Sequence, residues 1–494
     1  MGDLCSPVPN AALEIGFCSY VLPITIGKPR SVVSLGVSDS VVLEKDFQSV
    51  VHLFDSDGDT IADSKQTLVS ASGLNHGLAV HNGYIYASSD TTVYRWSYNG
   101  TDFASIGSEE QVIINMNADG HGGAPQGHQT RTLIFDPNDR LYISIGSGNN
   151  IDTDSYRSRI RRFDIYNESV VLPLDFQYGE VFADGLRNEV GLAFDAFGVL
   201  WGVENGADKL SRTDLGGDIH EDNPAEELNR FLEEDAGKHW GYPYCWTEYN
   251  LPEGIGLGRG TVWAWPDFLS TGEITDELCR ANYLPPIVAM QGHSAPLGIV
   301  FYEYTDNRPE ECHNIVQFPE KYDGYAFIAF HGSWNRDVPT GYKVVYIPFD
   351  TEGNVSGPPV DFLTHEPPDA KWEDGFRPVD VDFDECGRLL VTSDGTNSQG
   401  SKVITIQYTG NGANETKATT APNSSETGSS SINDTSTVIP TLAPSIGCPC
   451  PSPTKPTGSG DGSDTGDIKS SGNDFGPVQL AMLGVTLVLF LVEL

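Results

Sequence analysis

The chain has 494 residues and a formal net charge of −40, because 69 acidic residues stand against only 29 basic ones. This length can bury one large or two ordinary domains, and the acidic charge argues against nucleic acid or an anionic membrane surface as a partner. Eight widely spaced cysteines form no CxxC metal knuckle, and they favour structural disulfides made in an oxidising compartment. Their pairing cannot be deduced from spacing.

Residues 1–410 repeat one pattern, in which two β-branched or aromatic runs flank a tight polar turn. This hairpin signature occurs at 31–45, 77–89, 132–146, 191–203 and 379–393, with a looser copy split between 298–304, 325–332 and 342–350. The number and spacing predict about six four-stranded sheets, with long insertions after the third and fourth. Because such sheets close radially, we predict an all-β fold, a six-bladed β-propeller over residues 1–410. A large sandwich or two barrels is the alternative, and Pro224–Ala236 is the main candidate helix.

The C-terminal part has a different composition. Residues 411–470 are rich in Ser, Thr, Gly, Pro and Asn, so we predict a disordered, O-glycosylated stalk. Residues 471–494 end in the apolar run Leu480–Leu494, which as a helix would be about 22 Å long, too short to span a bilayer core. Small residues, a spacer and an apolar end together predict a lipid-anchor (GPI) signal, with a short membrane helix as the alternative.

These features predict an extracellular protein attached to the membrane at the cell surface by its C-terminal lipid anchor. Met1–Arg30 lacks the pattern of a secretory leader, so we expect that the start of this sequence misses the true leader. Asn-x-Ser/Thr acceptors for N-linked glycans agree with the secretory route. They are Asn99, Asn167, Asn354, Asn414, Asn423 and Asn433.

Several histidines and arginines stand beside glycines or near predicted strand ends. Imidazole accepts a proton near neutral pH, as the removal of a proton from an alcohol requires, and guanidinium holds a carboxylate in a bidentate manner. A structural role for each histidine and a surface ion pair for each arginine are the alternatives. The candidates are His76, His121, His128, His293, His331, Arg187, Arg336 and Arg377.

Two acidic segments resemble parts of cation sites. Asp55–Asp59 lacks the glycine and glutamate that an EF-hand needs at positions six and twelve, so that type of site is rejected. Glu204–Asp208 places acids beside backbone carbonyls at a predicted strand end, which is the oxygen set that a hard cation prefers. Nicotinamide, serine-hydrolase and zincin motifs are absent, so those enzyme classes have no support.

Over about residues 15–410 the chain resembles the glucose/sorbosone dehydrogenase family, and more closely its sorbosone and pyranose dehydrogenase branch. The motifs that carry the resemblance are LNHGLA (74–79), GHQTRTLIFDP (127–137), GLRNEVGLAFD (185–195), LGGDIHEDNPAEELN (215–229), HWGYPYCW (239–246), MQGHSAPLGIVFY (290–302), HGSWNRDVPTGYKVV (331–345) and FRPVDVDFDECGRLLVTSDG (376–395). Members of this family are six-bladed propellers, and many use pyrroloquinoline quinone (PQQ) and Ca²⁺ to oxidise sugars.

The resemblance implies a role for each matching residue. His128 would be the general base that takes the proton of the sugar hydroxyl while hydride passes to the quinone. Arg187 and Asn188 would contact cofactor and substrate, and the carbonyls of Gly206 and Ala207 would bind calcium. The residues expected around the carboxylates of the quinone are His293, His331, Arg336 and Arg377.

The chain departs from the family at two places. Ala207 replaces the proline of the glucose enzyme, and the cofactor-clamping lysine has no counterpart in HGSWNR. No cytochrome module is attached, so the resemblance implies an external electron acceptor. The alternative function is a non-catalytic binding propeller, because hedgehog-interacting proteins resemble the same fold.

Overall fold

The computed structural model describes residues 8–99, 103, 105–117, 127–154 and 156–410. The predicted stalk and anchor signal, residues 411–494, and the candidate His121 lie outside the described residues. Among the residues that are described, no helix combines the length and the apolar composition needed to cross a membrane.

Two strands precede the first sheet, β1 (Ala11–Leu13) and β2 (Phe17–Val21). Blade 1 contains β3 (Pro29–Gly36), β4 (Asp39–Glu44), β5 (Ser49–Phe54) and β6 (Ser64–Ser70). Blade 2 contains β7 (Leu78–His81), β8 (Tyr84–Ser88), β9 (Val93–Ser97) and β10 (Glu110–Ile114). Blade 3 contains β11 (Leu133–Phe135), β12 (Leu141–Ile145), β13 (Arg159–Phe163), then β14 (Leu174–Asp175), which pairs with β10 of blade 2, and its own β15 (Glu180–Asp184).

The remaining blades carry the insertions. The sheet of blade 4 contains β16 (Glu189–Phe194), β17 (Leu200–Glu204), β20 (Glu226–Phe231) and β24 (Val288–Met290). Its insertions carry the ribbon β18 (Ser211–Arg212) and β19 (Gly217–Asp218), then β21 (Lys238–His239), which pairs with β15 of blade 3, and the ribbon β22 (Cys245–Thr247) and β23 (Val262–Ala264). Blade 5 contains β25 (Pro296–Phe301), β26 (Ala326–Phe330), β27 (Lys343–Ile347) and β28 (Val360–His365), with β1 at its outer edge. Blade 6 contains β29 (Pro378–Phe383), β30 (Leu389–Asp394), β31 (Ser401–Tyr408) and β2.

Helices are few and short in the described part of the chain. The α-helices are α1 (Pro266–Thr271) and α2 (Asp276–Asn282), and the 3₁₀ turns are Phe176–Tyr178, Thr213–Leu215, Glu233–Asp235, Glu310–Asn314 and Glu320–Tyr322. The prediction of a helix at Pro224–Ala236 is wrong, because the segment contains β20, which pairs with β17 and β24. The prediction of a six-bladed, all-β propeller is confirmed.

The ring closes between the two ends of the folded chain. β2 pairs antiparallel with β31, from Phe17 opposite Tyr408 to Val21 opposite Ile404, so the N-terminal strand becomes the outer strand of the last blade. This closure leaves the ring without a free end. The inner strands β3, β7, β11, β16, β25 and β29 line an axial cavity of about 350 Å³.

The blades stack face to face, so their central strands are buried on both sides. In β4, Val41 packs towards Ile85 of blade 2, whereas the next residue, Val42, packs towards Leu390 of blade 6. Both valines are fully buried. This double burial explains why the strands read as continuous apolar runs rather than as strict alternations.

Two faces of the ring can be distinguished. We call the face where the inner strands begin the upper face, and the face where they end and turn into hairpins the lower face. A disulfide joins Cys245 of β22 to Cys279 of α2 within the insertion of blade 4. Another joins Cys312, in the loop between β25 and β26, to Cys386 in the hairpin of blade 6. The expectation of structural disulfides is confirmed.

Candidate functional site

The predicted site residues converge on the upper face. His128 precedes β11, Arg187 and Asn188 precede β16, and Arg377 precedes β29. The remaining histidines also belong to this end of the ring, because His293 precedes β25 and His331 follows β26, where its backbone N–H donates to Ala295 O at 2.8 Å. The radial geometry thus places residues that are up to 249 positions apart in one site.

The imidazole of His128 is held by Ser147. Nδ1 of His128 lies 3.1 Å from the carbonyl oxygen and 3.1 Å from Oγ of Ser147. A carbonyl only accepts hydrogen bonds, and the Ser147 hydroxyl already donates to Asn149 O at 2.7 Å, so Nδ1 must carry the ring proton. Nε2 then holds the lone pair, and no polar partner contacts it within the described residues.

The surroundings keep this imidazole neutral. Loss of hydration, followed by the nearby Arg187 guanidinium, lowers the pKa of His128 to about 3. The hydrogen bond to Ser147 and the carboxylate of Asp208 oppose this shift without reversing it. Near neutral pH, His128 is therefore an unprotonated base, and its acceptor nitrogen has no partner among the residues that the structure describes.

A glycine brings the base close to an amide. A Cβ atom on Gly146 would lie 2.4 Å from Asn188 Oδ1 and 2.7 Å from His128 Cβ, so only glycine fits between them. The backbone carbonyl of Asn188 accepts from Asn205 N at 3.0 Å, which fixes the residue in place. Its side-chain amide has no partner in the described part of the chain and can bind a ligand.

The carboxylate of Asp208 binds a charged and a polar side chain of the site. Its Oδ2 accepts from Arg187 Nη2 at 2.9 Å and its Oδ1 accepts from Asn335 Nδ2 at 2.7 Å. Burial alone would raise the pKa of Asp208, but the contacts with His293 and Arg187 lower it, so the carboxylate is ionised. Arg187 Nη2 also donates to Asn150 Oδ1 at 3.1 Å.

The Nε–H group of Arg187 makes no hydrogen bond to the residues that the structure describes. The side chain is buried, and among the described residues its Nε–H has no acceptor. A buried N–H without a partner is costly, so this donor is available to a polar group of a ligand. Because the other nitrogens are held by Asp208, Asn150 and Asn205, this N–H has a fixed direction.

His293 is protonated more readily than His128. Its Nε2 donates to His220 O at 2.6 Å, and its Nδ1 lies 3.5 Å from Asp208 Oδ1. Burial alone would lower the pKa of His293, but Asp208 and Glu226 outweigh burial and raise it. His128 is therefore neutral, whereas His293 is the more easily protonated imidazole of this pair.

A further network contains His331. Its Nε2 lies 2.8 Å from Asp394 Oδ1, and the other oxygen of Asp394 accepts from Arg30 Nη1 at 2.6 Å. Arg30 Nε in turn donates to His76 Nδ1 at 3.3 Å. Burial lowers the pKa of His331 to about 4, and burial also lowers that of His76. Both imidazoles are therefore neutral near pH 7.

Arg377 and Arg336 differ in how completely protein groups bind their guanidinium nitrogens. Arg377 donates from Nε to His331 O at 3.0 Å and from Nη2 to Gly332 O at 2.9 Å, and these bonds hold its guanidinium at the rim of the network. Arg336 is bound more fully by protein groups, to Glu221 O and, at 3.1 Å, to Asp222 Oδ1. Its assignment to the carboxylates of a cofactor stays a prediction.

The predicted metal ligands are two backbone carbonyls. The Gly206 N–H donates to Glu226 Oε2 at 2.7 Å, and a Cβ atom on Gly206 would lie 2.7 Å from Ala225 O, so this loop is held tightly. Within the described residues, neither Gly206 O nor Ala207 O accepts a hydrogen bond. Both are therefore available to a hard cation, and Gly206 and Ala207 are among the residues that line a cavity of about 30 Å³ together with Arg187.

A second acidic group lies far from this site. Asp55, Asp57 and Asp59 form the one cluster within the described ranges whose carboxylate oxygens could share an ion, all within 4.8 Å of one another. These residues lie in the loop between β5 and β6, on the lower face. They have no connection with the site on the upper face.

Sequence reasoning missed several residues of the site. They are Arg30, Gly146, Ser147, Asn150, Asp208 as an ion-pair partner, Asn335 and Asp394. Asn335 and Asp394 stand inside quoted motifs, and Asp208 closes the acidic segment Glu204–Asp208, so a signal was present for these three. Arg30 pairs with Asp394 across 364 positions, and nothing in the sequence indicates that contact.

The chain is similar to known sugar dehydrogenases. It is 33% identical over 358 residues to the pyrroloquinoline quinone-dependent sugar dehydrogenase of Hypocrea jecorina, covering 67% of this chain and 74% of that protein. It is 28% identical to the pyrroloquinoline quinone-dependent pyranose dehydrogenase of Coprinopsis cinerea, but spans only 46% of its length.

Solved structures agree with these relatives. The holo form of the PQQ domain of the Coprinopsis cinerea pyranose dehydrogenase has a TM-score of 0.68 and 25% identity, covering 81% of this chain and 98% of that one. The calcium structure of a Trichoderma reesei family AA12 enzyme has a TM-score of 0.68 and 29% identity, covering 81% and 97%. The family model described as TrAA12-like matches residues 11–408. The chain therefore belongs to the TrAA12-like family.

Proposed function

We propose that this protein is an oxidoreductase that oxidises a sugar with PQQ as its cofactor. The observation that carries the proposal is the neutral imidazole of His128 beside the buried guanidinium of Arg187. Among the described residues, His128 Nε2 and Arg187 Nε have no hydrogen-bond partner. An alcohol is oxidised when a base removes the hydroxyl proton as hydride leaves carbon. The relatives that resemble this chain are named for such a reaction.

The donor set on the upper face fits this cofactor. PQQ carries three carboxylates and a quinone, so it requires cations and hydrogen-bond donors around its rim. Arg187 Nε is a buried donor without an acceptor in the described part, and Arg377 supplies a second guanidinium. The carbonyls of Gly206 and Ala207 would hold Ca²⁺, which binds oxygen ligands.

Bound PQQ supplies the hydride acceptor, which no side chain can provide. His128 Nε2 would take the proton from the sugar hydroxyl. Ser147 holds the imidazole in the tautomer that makes this transfer possible, through its carbonyl and Oγ. Asn188 would orient the substrate through its amide, and Arg187 would contact both cofactor and substrate.

We place this activity outside the cell. The disulfides Cys245–Cys279 and Cys312–Cys386 agree with an oxidising compartment. The stalk at 411–470, and the lipid that would replace the signal at 471–494, would hold the propeller, residues 1–410, at the membrane surface. A separate electron acceptor would reoxidise the cofactor. The net charge of −40 argues against nucleic acid as a partner.

The test is reconstitution of purified protein with PQQ and Ca²⁺, followed by dye reduction with a panel of aldoses and pyranoses. We expect activity that requires both additions and that falls strongly in Arg187→Lys, because lysine cannot make the same set of fixed hydrogen bonds. Absence of PQQ binding by the wild type would overturn the proposal and favour a non-catalytic binding propeller.

A further inference from the structure

The three Asn-x-Ser/Thr acceptors of the propeller occupy corresponding places in three blades. Asn99 follows β9, Asn167 follows β13 and Asn354 follows β27, and each of these strands is the third of its blade. All three asparagines are exposed. The loop after a third strand lies on the lower face, because third strands run parallel to the inner strands.

Specific contacts place each loop on that face. Tyr98, next to Asn99, donates its N–H to the hairpin residue Gly83 at 2.9 Å, where β7 has just ended. Tyr166, next to Asn167, lies with its ring 5.9 Å from that of His81, the last residue of β7.

In blade 5, β27 ends at Ile347, which pairs with Ala326, and Ala326 also pairs with Phe301 at the end of the inner strand β25. The loop that carries Asn354 therefore begins on the lower face. A Cβ atom on Gly353 would lie 2.8 Å from Phe197, which belongs to the lower hairpin of blade 4. Asn354 is thus directly beside the lower end of a neighbouring blade.

We infer that Asn99, Asn167 and Asn354 carry N-linked glycans, which cover the lower face and leave the upper face with its site free. At Asn167 the side-chain oxygen accepts from Ser169 N at 3.0 Å and from Ser169 Oγ at 2.7 Å, so the acceptor amide and the hydroxyl of the sequon are already in contact. Exposed loops of this kind are where N-linked glycans are attached in secreted proteins.

The path of the chain agrees with this division of the surface. β31 begins opposite Asp394, near the site, and ends at Tyr408 opposite Phe17. It therefore runs from the upper to the lower face, and the described chain ends at Gly410 on the lower face.

The test uses the full chain, secreted from a eukaryotic host and treated with peptide N-glycosidase F. We expect conversion of asparagine to aspartate at all three positions in peptide mass spectra. Ser169→Ala should remove one glycan, whereas Ser169→Thr, which keeps the sequon, should retain it. Unmodified asparagine at these positions in secreted, disulfide-bonded protein would overturn the inference.

Lys209→Asn provides the matched control on the upper face. It creates an acceptor with Ser211 beside Asp208, at an exposed position whose φ of 62° suits asparagine. We expect a glycan there to lower kcat/KM for sugar oxidation at least tenfold, while enzymatic removal of the three native glycans changes it less than twofold. The reverse pattern would contradict the assignment of the faces. The mass readout does not depend on activity, so failure of the proposed function would leave it interpretable.

Discussion

Nδ1 of His128 lies 3.1 Å from both the carbonyl oxygen and Oγ of Ser147, and this double contact sets the chemistry of the site. It fixes the proton on Nδ1, because the Ser147 hydroxyl is itself committed to Asn149. A neutral partner also adds no negative charge beside the ring. The imidazole therefore remains a neutral base with Nε2 available.

The first prediction concerns pH. A base works only when unprotonated, so kcat/KM should fall as the pH drops through the pKa of His128, about 3. In Ser147→Asp, a carboxylate facing Nδ1–H should raise that pKa and move the acid limb of the pH profile upward by about one to three pH units. Arg187, Arg131 and Asp208 also act on His128, and the substitution leaves all three in place.

Ser147→Thr is the matched control for that experiment, because it keeps a hydroxyl without a charge. Its acid limb should coincide with that of the wild type. An unchanged limb in Ser147→Asp would show that position 147 does not control the protonation of the base.

The second prediction concerns the space between the base and the amide. Gly146→Ala should lower kcat/KM by about 100-fold, because its Cβ atom would displace His128 or Asn188 from the reactive arrangement. Gly36→Ala is the control, since its Cβ atom would meet only ordinary contact at 3.6 Å with Asp39. Steady-state kinetics alongside circular dichroism would separate lost geometry from lost folding. Equal activity of the two variants would contradict the account.

The third prediction concerns stability in acid. Burial opposes ionisation of Asp394, but His331 and Arg30 hold its pKa below the ordinary aspartate value. Its stabilising effect is therefore full above about pH 4, the unfolded pKa, and is lost as the pH falls towards the folded pKa. Asp394→Asn should reduce the free energy of unfolding at pH 7 by about 3–5 kcal/mol, because it leaves Arg30 buried without its partner.

Urea unfolding at pH 7 and pH 3 would measure this effect. The difference between Asp394→Asn and wild type should be smaller at the lower pH. A difference that is constant with pH would show that the carboxylate charge contributes nothing.

The fourth prediction concerns the Cys312–Cys386 disulfide, which links a loop of blade 5 to the hairpin of blade 6. A double Cys→Ala variant should lose about 2–5 kcal/mol of stability, because the unfolded chain becomes less constrained. Activity at room temperature should be unchanged, since the bond lies on the lower face away from the site. Thermal unfolding with dye-reduction assays would check both statements, and loss of activity in a folded variant would refute the second.

Much of the fold was predictable because hairpins are local. The runs flanking Asn82–Gly83 and Glu385–Gly387 contain their own turn signals, and the structure forms both hairpins. The failure at Pro224–Ala236 has a physical cause: β20 carries polar residues inward. Glu226 accepts from Gly206 N, and Asn229 is fully buried beside Glu189 and Glu204. The resulting sequence, AEELNRFLEEDA, has the composition of a helix.

The site was predictable only in part, and for a related reason. His128 and Arg187 stand in motifs at strand starts, which the pattern of the blades makes visible. Their partners come from elsewhere: Asp208 from the loop after β17, and Asn335 from the loop after β26. The Arg187–Asp208 contact lies within blade 4, whereas the contact of Asp208 with Asn335 joins blades 4 and 5, and no local rule connects residues on different blades.

The most direct measurement of the central claim compares wild type with His128→Gln in two separate steps. PQQ with Ca²⁺ is first titrated into each protein by calorimetry, and an aldose is then mixed with the loaded protein while the cofactor absorbance is followed. We predict similar affinity for PQQ, because Arg187, Arg377 and the carbonyls of Gly206 and Ala207 are intact. The rate of cofactor reduction should fall by about 10³-fold, because the base is missing. Equal rates of reduction in the two proteins, or no binding of PQQ by the wild type, would contradict the account.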